Sequence, residues 1–449
     1  MVTAQTSPCK LVVTADGEGV VSHAGSGLLV GLADRVGLTA ALSAAMAPTR
    51  ERASAHDPGV VLRDLAVMLA DGGKSLSDLA GQRERAARLG AAVASDSTAY
   101  RVIDSIDGAG LERLRDAVAV ARARAWQLGA RAPGRVVLDF DATLLEAHSR
   151  KQGAAGTFKG GFGHHPLLCY LDGTREALAG ILRDGNAGSN TAADHMTVGD
   201  LALSQLPAAA LDGEIVARVD GAGATHAFTQ WCRDANIHFS VGGALTQDVL
   251  TEALIIPDRA WQQALCQDGS DDRDAWVAEL TGRLSSKLKT WPAGTRLICR
   301  AVRLAAGTQL GFGQSDGFRY ELFLTDLPGD PRDLDLFQRQ HARVEDRIRD
   351  AKDLGLGNLP FQSFSNNEVW LLLTQLAQDL LAWAQQLLLT GELTRAEPKT
   401  LRYRLWHTAA RLARHARRTR LRLDRHWPWA GQLAAAFARL QALPAPTAT

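Results

Sequence analysis

The sequence has few cysteines, and their arrangement is not typical of a structural metal site or a disulfide-stabilised fold. The chain of 449 residues has five cysteines, which lie far apart and include no CxxC spacing; they are Cys9, Cys169, Cys232, Cys266 and Cys299. The odd total and the wide spacing argue against both a disulfide framework and a zinc ribbon. A reducing compartment is expected, and we predict a cytoplasmic location.

The chain also lacks an excess of charge and a long apolar run without polar residues. Its 50 Lys and Arg residues are balanced by 49 Asp and Glu residues, so the net charge of +1 does not by itself indicate a polyanionic or membrane partner. The most apolar stretch, from Val369 to Leu389, contains Gln375, Asp379 and Gln386. This composition favours a buried amphipathic helix over a membrane span. No basic segment followed by an apolar segment opens the chain, so no secretory signal is expected.

The apolar patterns divide the chain into five regions. Residues 1–130 show mainly helical spacing, and residues 131–245 alternate apolar strands with helices, which is typical of an α/β layer. Residues 246–330 are rich in predicted strands separated by glycines, whereas residues 331–395 and 396–449 return to helical spacing. We therefore predict an α/β protein with a β-rich insertion and helical regions at both ends.

The N-terminal region contains a candidate for DNA recognition. Asp57, which precedes a proline, and Ser97 are predicted helix starts. The stretch from Ser95 to Ile103 has small polar residues and Arg101 near its beginning, as in the recognition helix of a helix-turn-helix motif. An ordinary helical bundle explains the same pattern equally well.

Two acidic residues at the end of a predicted strand are the most informative feature. Asp139 and Asp141 follow an apolar run and share one face of the strand, because successive side chains point to opposite faces. Neighbouring carboxylates repel each other, and such a pair is best explained by a divalent cation or by phosphoryl chemistry, although one acid can simply cap the following turn. A second apolar strand, from Glu214 to Asp220, also ends in an acid.

A third acid lies on a predicted basic helix. Glu345, Arg349 and Lys352 are spaced at i, i+4 and i+7, which places them on one helical face. Such a face can hold a metal and the neighbouring phosphate, whereas a solvated ion-pair helix is the alternative. Polynucleotidyl transfer by two metals needs carboxylates from separate elements around cations that lie about 4 Å apart. Magnesium (or manganese) suits such an oxygen-rich site.

Four motifs together resemble the DDE transposases of bacterial insertion sequences, in particular the thirteen-eighty group, which is related to the insertion-sequence-four superfamily. They are Leu138-Asp139-Phe140-Asp141-Ala142-Thr143, Phe158-Lys159-Gly160-Gly161-Phe162, Arg218-Val219-Asp220-Gly221 and Glu345-Asp346-Arg347-Ile348-Arg349. The resemblance extends over about residues 20–440. It implies an RNase H-like catalytic core in residues 131–245 and 331–395, interrupted by the β-rich insertion, and a helical N-terminal region that binds the terminal repeats.

The resemblance also implies site residues. Asp141, Asp220 and Glu345 correspond to the three catalytic acids that bind metal, and Asp139 is a neighbour that can exchange roles with Asp141. The superfamily signature has a Tyr and an Arg before the Glu and a Lys after it. The corresponding positions of this chain hold Gln338, His341 and Lys352, so only the Lys agrees with the signature. Arg339, His341 and Arg343 are candidate substitutes for the phosphate-binding Arg.

Further DNA contacts are expected from two basic segments. Lys159 lies in a glycine-rich loop that can approach a phosphate, although a tight hairpin turn explains the same glycines. Near the C-terminus, nine arginines are opposed by the single acid Asp424; they are Arg402, Arg404, Arg411, Arg414, Arg417, Arg418, Arg420, Arg422 and Arg425. We predict one helix here, with Arg411, Arg414 and Arg418 in a stripe that contacts phosphates without sequence specificity.

The implied function is metal-dependent cleavage and strand transfer of double-stranded DNA, with terminal inverted repeats and target DNA as partners. A homodimer is expected in the DNA complex, together with nucleoid association and no membrane partner. A haloacid-dehalogenase-type phosphatase is the alternative, with Asp139 as nucleophile and Asp141 as acid and base. A non-catalytic DNA-binding descendant is a third interpretation, but the presence of all three acids gives it no support.

Overall fold

The computed structural model describes residues 13–50, 56–89, 91–130, 134–305, 313–415 and 418–446. Cys9 and Arg417 lie outside these described residues. The other four cysteines are free, so no disulfide occurs among the described residues. Among the described helices, none alone is long and apolar enough to cross a membrane, although the bent pair Ala24–Arg35 and Leu38–Ala45 meets the length and composition together.

A ten-stranded mixed sheet forms the centre of the molecule. Its order is β10-β11-β12-β14-β9-β8-β2-β6-β7, with β13 paired to β14; β3, β5 and β4 form a small second sheet, and β1, β15 and β16 a third. The strands are β1 (Val20–Val21), β2 (Val136–Ala142), β3 (Leu145–Glu146), β4 (Ala155–Gly156), β5 (Phe162–His164), β6 (Leu167–Leu171), β7 (Ala177–Ile181), β8 (Ile215–Val219), β9 (His238–Gly243), β10 (Gln262–Leu265), β11 (Asp271–Glu279), β12 (Arg296–Arg303), β13 (Gln314–Ser315), β14 (Phe318–Thr325), β15 (Ala410–His415) and β16 (Arg418–Leu423). The predicted α/β architecture is confirmed at this level.

The central strands are buried on both faces, which explains their continuous apolar runs. β2, β8 and β9 run parallel to one another, while β6 and β7 complete an antiparallel meander with β2. Parallel strands carry their carboxyl ends to the same edge of the sheet. The acids that end β2 and β8 are therefore brought to one edge.

The predicted β-rich insertion extends this sheet. β14 pairs antiparallel with β9, and β12, β11 and β10 follow outward from it. The described part of residues 246–330 also contains the α-helix Gln247–Leu254. The strands of the insertion are thus continuous with those that carry the acids.

Helices surround the sheet and form the N-terminal region. They are α1 (Gly27–Arg35), α2 (Leu38–Ala45), α3 (Pro58–Ala70), α4 (Leu79–Leu89), α5 (Asp96–Asp104), α6 (Gly108–Gln127), α7 (Ala192–Ser204), α8 (Ala208–Leu211), α9 (His226–Asp234), α10 (Gln247–Leu254), α11 (Pro331–Arg339), α12 (Arg343–Ala351), α13 (Phe364–Leu387), α14 (Pro398–Leu401) and α15 (Ala430–Ala442). Asp57 caps α3 as predicted, whereas α5 begins one residue before Ser97 and is capped by Ser95.

The predicted amphipathic helix near residue 380 is confirmed as a helix, and α13 is buried on almost all sides. The Asp379 carboxylate, in the second half of this helix, is buried beside Arg122 of α6, at 2.5 Å. Arg122 also donates to Glu176, at 3.1 Å. This ion cluster joins the N-terminal helical region to the sheet and to α13.

The prediction of one basic helix over residues 401–425 is wrong. Helical turns end at Trp406, and the arginines after it lie in the antiparallel hairpin of β15 and β16. Arg418, Arg420 and Arg422 alternate with less polar residues, which is a period of two rather than the helical period. The strand β1, distant in sequence, pairs with β15 and supplies a partner that local spacing cannot reveal.

Candidate active site

Two of the predicted acids lie side by side at the edge of the central sheet. Phe140 in β2 is in register with Val219 in β8, so Asp141 and Asp220 follow immediately on two neighbouring parallel strands. Asp220 also accepts a hydrogen bond from the backbone nitrogen of Ala222, at 2.9 Å, which holds the turn after β8. The strand register thus brings together two acids that are far apart in the sequence.

The third acid comes from a helix that packs on β2. Glu345 lies in the first turn of α12, where its side chain is exposed, and Asp220 is exposed as well. Burial raises the pKa of Asp141 to about 6; the charge of His341 opposes this shift, and those of Asp220 and Glu345 add to it. The three carboxylates are therefore close enough to influence one another electrostatically.

This set of donors fits a hard divalent cation. Three carboxylates supply oxygen ligands, and the exposure of two of them leaves room for water and a phosphate. Burial is the main cause of the raised pKa of Asp141, and the repulsion from Asp220 and Glu345 that adds to it is relieved when a cation lies between the acids. Asp141, Asp220 and Glu345 are thus the residues that can hold Mg²⁺ (or Mn²⁺) here.

Asp139 has a different environment from Asp141. It is buried, and both of its oxygens accept hydrogen bonds from the Arg218 guanidinium, from Nε and Nη2, each at 2.6 Å. The Nδ1 atom of His341 lies 3.1 Å from its Oδ1. These contacts favour a role in which Asp139 positions Arg218 and His341. Its role as a reserve metal ligand stays a prediction.

Arg218 is a site component that the sequence motif contained but whose role was not predicted. It is completely buried in β8, contacts Asp172 at 2.9 Å, and donates to the backbone oxygen of Phe337 at 2.7 Å. It thereby links β2, β8 and the end of α11. An arginine within an apolar strand, beside a strand that contains two acids, is the signal that could have identified it.

The residues before Glu345 contribute mainly to positioning. Gln338 accepts from Ser240 and donates to the backbone oxygen of Val219 at 3.0 Å, which ties α11 to the strands beside Asp220. The candidate phosphate-binding arginines are engaged elsewhere, since Arg339 pairs with Asp335 and Arg343 with Asp172. His341 is therefore the one of the three candidates that faces Asp141.

Lys352 and Arg349, which were predicted to share one helical face with Glu345, have different partners in the structure. Lys352 donates to the backbone oxygen of Leu144 at 3.4 Å, and burial lowers its pKa, while the charge of Asp141 opposes that shift. Arg349 instead pairs with Asp346 at 2.9 Å and with Glu397 at 3.1 Å. Lys352 thus lies near Asp141, whereas Arg349 pairs with two other acids at the surface.

Lys159 lies at the tip of the β4–β5 hairpin and is exposed there, so its loop is a hairpin turn, and its contact with a phosphate stays a prediction. Burial lowers the pKa of Lys352, and the charge of Lys159 adds to this shift, so the two lysines are near enough to repel each other. Exposed Phe158 lies beneath Lys159, with the lysine Nζ 5.7 Å from the ring centre. A cation exposed at the tip of a hairpin can meet a DNA phosphate.

A glycine that sequence reasoning did not single out allows this geometry. A Cβ on Gly242 in β9 would lie 2.6 Å from the Gly221 nitrogen and 2.9 Å from the Asp220 carbonyl carbon. The turn that presents Asp220 therefore packs directly on the β9 backbone. Only glycine permits this approach without moving the acid.

The hairpin of β15 and β16, which we call the arginine ribbon, presents most of its basic residues on one face. Residues in direct register share a face, which groups Arg411 with Arg422, Ala413 with Arg420 and His415 with Arg418. Arg414 is in register with Thr419 on the other face, and it donates to the backbone oxygen of Arg88 at 2.9 Å. The ribbon thus separates Arg414 from Arg411 and Arg418, which were predicted to share one stripe.

The whole chain was compared with known proteins. The family described as Transposase DDE domain group 1 matches residues 3–445. A search of curated proteins finds no match. Among solved structures, the chain is similar to the cryo-EM structure of the piggyBac transposase synaptic complex with hairpin DNA, at 9% sequence identity and a TM-score of 0.41, with 84% of this chain and 79% of that chain covered.

Proposed function

The chain belongs to the family Transposase DDE domain group 1, and on this premise we propose that it cleaves the ends of an insertion sequence and joins them to target DNA. The observation that carries the proposal is the approach of Asp141, Asp220 and Glu345 from two parallel strands and a helix. Family membership favours this function over that of a phosphatase. The phosphatase would also need Asp139 as a free nucleophile, and both of its oxygens are bound by Arg218.

The acids act in this proposal as the ligands of Mg²⁺ (or Mn²⁺). Bound in pairs, such ions activate the attacking oxygen and stabilise the charge on the leaving oxygen. Asp139 and Arg218 keep β2 and β8 aligned, so that Asp141 and Asp220 face the same phosphate. Lys352 and Lys159 supply positive charge beside the acids, where the DNA backbone would lie.

The reaction has two steps in this proposal. Water first attacks a phosphodiester at the element's end, the bond to the 3′ oxygen breaks, and a free 3′ hydroxyl remains on the element. That hydroxyl then attacks a phosphodiester of the target DNA, and the 3′ oxygen of the target leaves as the new bond forms. Both steps use the same three acids, because both are in-line displacements at phosphorus.

The arginine ribbon is the second DNA contact of the proposal. Arg411 and Arg422 are directly opposite each other, and like charges in that arrangement destabilise a hairpin unless an anion lies between them. A two-stranded ribbon also fits the width of the major groove of B-DNA. Phosphates are therefore the expected partners of this face.

Finer assignments are part of the same proposal. The unit formed by β7, β6, β2, β8 and β9 is proposed as the RNase H-like core, since the meander and the two parallel strands bring the acids to one edge. The thirteen-eighty group, recognition of terminal inverted repeats by the N-terminal helices, a homodimer in the DNA complex and a bacterial cytoplasmic location are proposed from the sequence resemblance. The divisions at residues 130, 245, 330 and 395 are retained as proposed domain limits.

The test is a cleavage assay on DNA that carries the element's ends, with magnesium. Nicking and strand transfer by the full-length chain are expected to disappear in Asp220→Ala and in Glu345→Gln. Asp346→Asn is the matched control, because Asp346 is the exposed neighbour of Glu345 in α12 and pairs with Arg349. Cleavage that persists in Glu345→Gln, or that is abolished equally in Asp346→Asn, would contradict the proposal.

A further inference from the structure

Three side chains from distant parts of the chain meet at the base of the arginine ribbon. His23 follows β1, Asp71 ends α3, and His407 precedes β15. The Nδ1 atom of His23 lies 2.8 Å from Asp71 Oδ2, and the Nε2 atom of His407 lies 3.6 Å from Asp71 Oδ1. Among the described residues, this is the only group of three or more His, Cys, Asp or Glu whose ligand atoms all lie within 4.8 Å of one another.

The geometry of the group directs two imidazoles at one carboxylate. The two histidine rings are stacked, with centres 3.9 Å apart and planes tilted by 24°. The Asp71 side chain is only 10% exposed, whereas each histidine side chain is 39% exposed. The carboxylate is thus held inside, and the imidazoles are accessible from solvent.

One atom of the group lacks a hydrogen-bond partner. Asp71 Oδ1 is buried and accepts no hydrogen bond in the described part of the chain. The other oxygen, Oδ2, is bound by His23 and lies 3.5 Å from Arg85 Nη1. A buried carboxylate oxygen without a partner is unfavourable, and a ligand at this position would satisfy it.

The donor set indicates the class of ligand. Two imidazole nitrogens and one carboxylate oxygen are typical ligands of Zn²⁺, whereas Mg²⁺ prefers a site made of oxygens. We propose that His23, Asp71 and His407 bind one Zn²⁺ ion, through the ring nitrogens and Oδ1, with water at a fourth position. This site differs in both ligand chemistry and location from the three acids.

Binding requires a local change at both histidines. His23 Nδ1 donates to Asp71 Oδ2 at 2.8 Å, so this nitrogen must release its proton to solvent before it coordinates the ion. His407 Nε2 donates a hydrogen bond to the backbone oxygen of Asp71 at 2.9 Å, so the ring must lose that proton and turn toward Oδ1 to coordinate the ion. The proton passes to solvent, which reaches the ring because it is part exposed. Arg85 remains beside Oδ2 and balances the charge that this oxygen retains.

The ion would fix the ribbon to the helical region. The backbone nitrogen of Ala24 donates to the oxygen of Thr408 at 2.9 Å, and β1 pairs with β15, so His23 and His407 already belong to one unit. Asp71 belongs to α3, against which this unit packs. An ion bound by all three joins the base of the ribbon to α3, and it stabilises the folded chain because the unfolded chain has no such site.

The test uses the full-length chain after treatment with a chelator. Zinc titration calorimetry is expected to detect one ion per chain, and zinc is expected to raise the thermal unfolding midpoint. The variants His23→Asn, Asp71→Asn and His407→Gln are expected to weaken zinc binding at least tenfold. Asn is chosen at position 23 because His23 has a φ of 51°, which asparagine tolerates. His426→Gln, in the exposed turn after β16, is the matched control and is expected to bind zinc normally.

The outcomes separate this site from the three acids. Zinc binding that persists in Asp220→Ala but is weakened at least tenfold in His23→Asn supports the proposal, and it does so whether or not the chain cleaves DNA. The proposal fails if the wild-type chain binds no zinc, or if the double variant of His23→Asn and His407→Gln binds zinc as tightly as the wild type. Circular dichroism in the presence of chelator verifies that each variant is folded; if one is not, the remaining single variants decide.

Discussion

Two aspartates two positions apart in β2 differ in what surrounds them. Asp139 is neutralised by the Arg218 guanidinium, whereas Asp141 faces two other acids and is only partly compensated by His341. The alternation of side chains explains why both lie on one face, but the partners across the strand pairs determine which acid remains available. Of the two aspartates, Asp141 is therefore the one that is not bound by an arginine and remains available to a metal ion.

The raised pKa of Asp141 predicts a pH dependence of stability without metal. Its pKa is raised from the ordinary 3.8 to about 6, so the folded chain binds a proton more readily than the unfolded chain between these values. This contribution to stability is fully present below pH 4 or so and is lost as the pH rises through about 6. Asp141→Asn removes the dependence, and at about pH 8 it should raise the free energy of unfolding by ~1–2 kcal/mol, a value reduced for partial solvent screening.

Denaturant unfolding in chelator at about pH 4.5 and pH 8 measures this effect. The wild type and Asp141→Asn should differ at the higher pH and converge at the lower one. Addition of Mn²⁺ should stabilise the wild type at pH 8 and have much less effect below pH 6, because the ion must displace the proton. An identical pH profile for the two proteins would contradict the raised pKa of Asp141.

A second prediction at this scale separates positioning from metal binding. Asp139→Asn leaves the buried Arg218 with only its contact to Asp172 and should lower the free energy of unfolding by about 3–5 kcal/mol, as expected when one partner of a buried ion pair is removed. Its effect on Mn²⁺ affinity should be small. Asp220→Asn should instead weaken Mn²⁺ binding and change the free energy of unfolding little, because Asp220 is exposed and its main contact in the turn is a backbone nitrogen. Loss of Mn²⁺ binding in Asp139→Asn with unchanged stability would assign Asp139 as a metal ligand.

At the scale of elements, the arginine ribbon is the main departure from the sequence prediction. Residues 411, 414 and 418 have helical spacing, but the alternation in β16 and the pairing with β1 produce strands. The change of element changes which arginines act together. Arg411, Arg418, Arg420 and Arg422 share a face, and Arg414 does not.

This regrouping predicts unequal effects on DNA binding. The double variant of Arg420→Gln and Arg422→Gln should weaken binding of the full chain to duplex DNA and reduce the slope of log affinity against log salt by about 2, roughly one unit for each phosphate that is no longer neutralised. Arg414→Gln should change the slope little, since its side chain donates to the backbone of Arg88. Fluorescence anisotropy at several salt concentrations measures the slope. A larger effect of Arg414→Gln than of the double variant would contradict the grouping seen in the ribbon and support the predicted helical stripe.

At the scale of the whole molecule, the buried ion cluster of Arg122, Glu176 and Asp379 joins three regions. Arg122 comes from α6, Glu176 precedes β7, and Asp379 lies in α13. Trp383 Nε1 also donates to Glu176 at 2.8 Å, and burial raises the pKa of Asp379 to about 7. The N-terminal helices are therefore part of the same core as the sheet, despite their separate position in the sequence.

Removal of the cation at the centre of this cluster should strongly destabilise the chain. Arg122→Leu leaves two buried carboxylates unpaired and is expected to lower the free energy of unfolding by about 3–5 kcal/mol. The control is Arg135→Leu, which breaks an ion pair with Glu214 whose side chains are 45% and 37% exposed and should have an effect of less than about 1 kcal/mol. Denaturant unfolding compares the two. Similar values for both variants would show that the cluster does not hold the regions together.

Much of the local structure followed from the sequence. The strand predicted from Glu214 to Asp220 extends one residue beyond each end of β8, and the apolar stretch from Val369 to Leu389 lies mostly in α13. The capping of α3 by Asp57 was also predicted. These features depend on residues adjacent in the chain, where period, capping and apolar content act directly.

The sequence by itself determined the acids, the strands that end in them and the family motifs. Only the tertiary structure decided that Arg218 engages Asp139, that the arginines form a ribbon, and that His23, Asp71 and His407 meet. The physical reason is that periodicity and capping are properties of neighbouring residues. The partner of a buried charge, and the pairing of a strand such as β1 with β15, depend instead on which distant segments pack together.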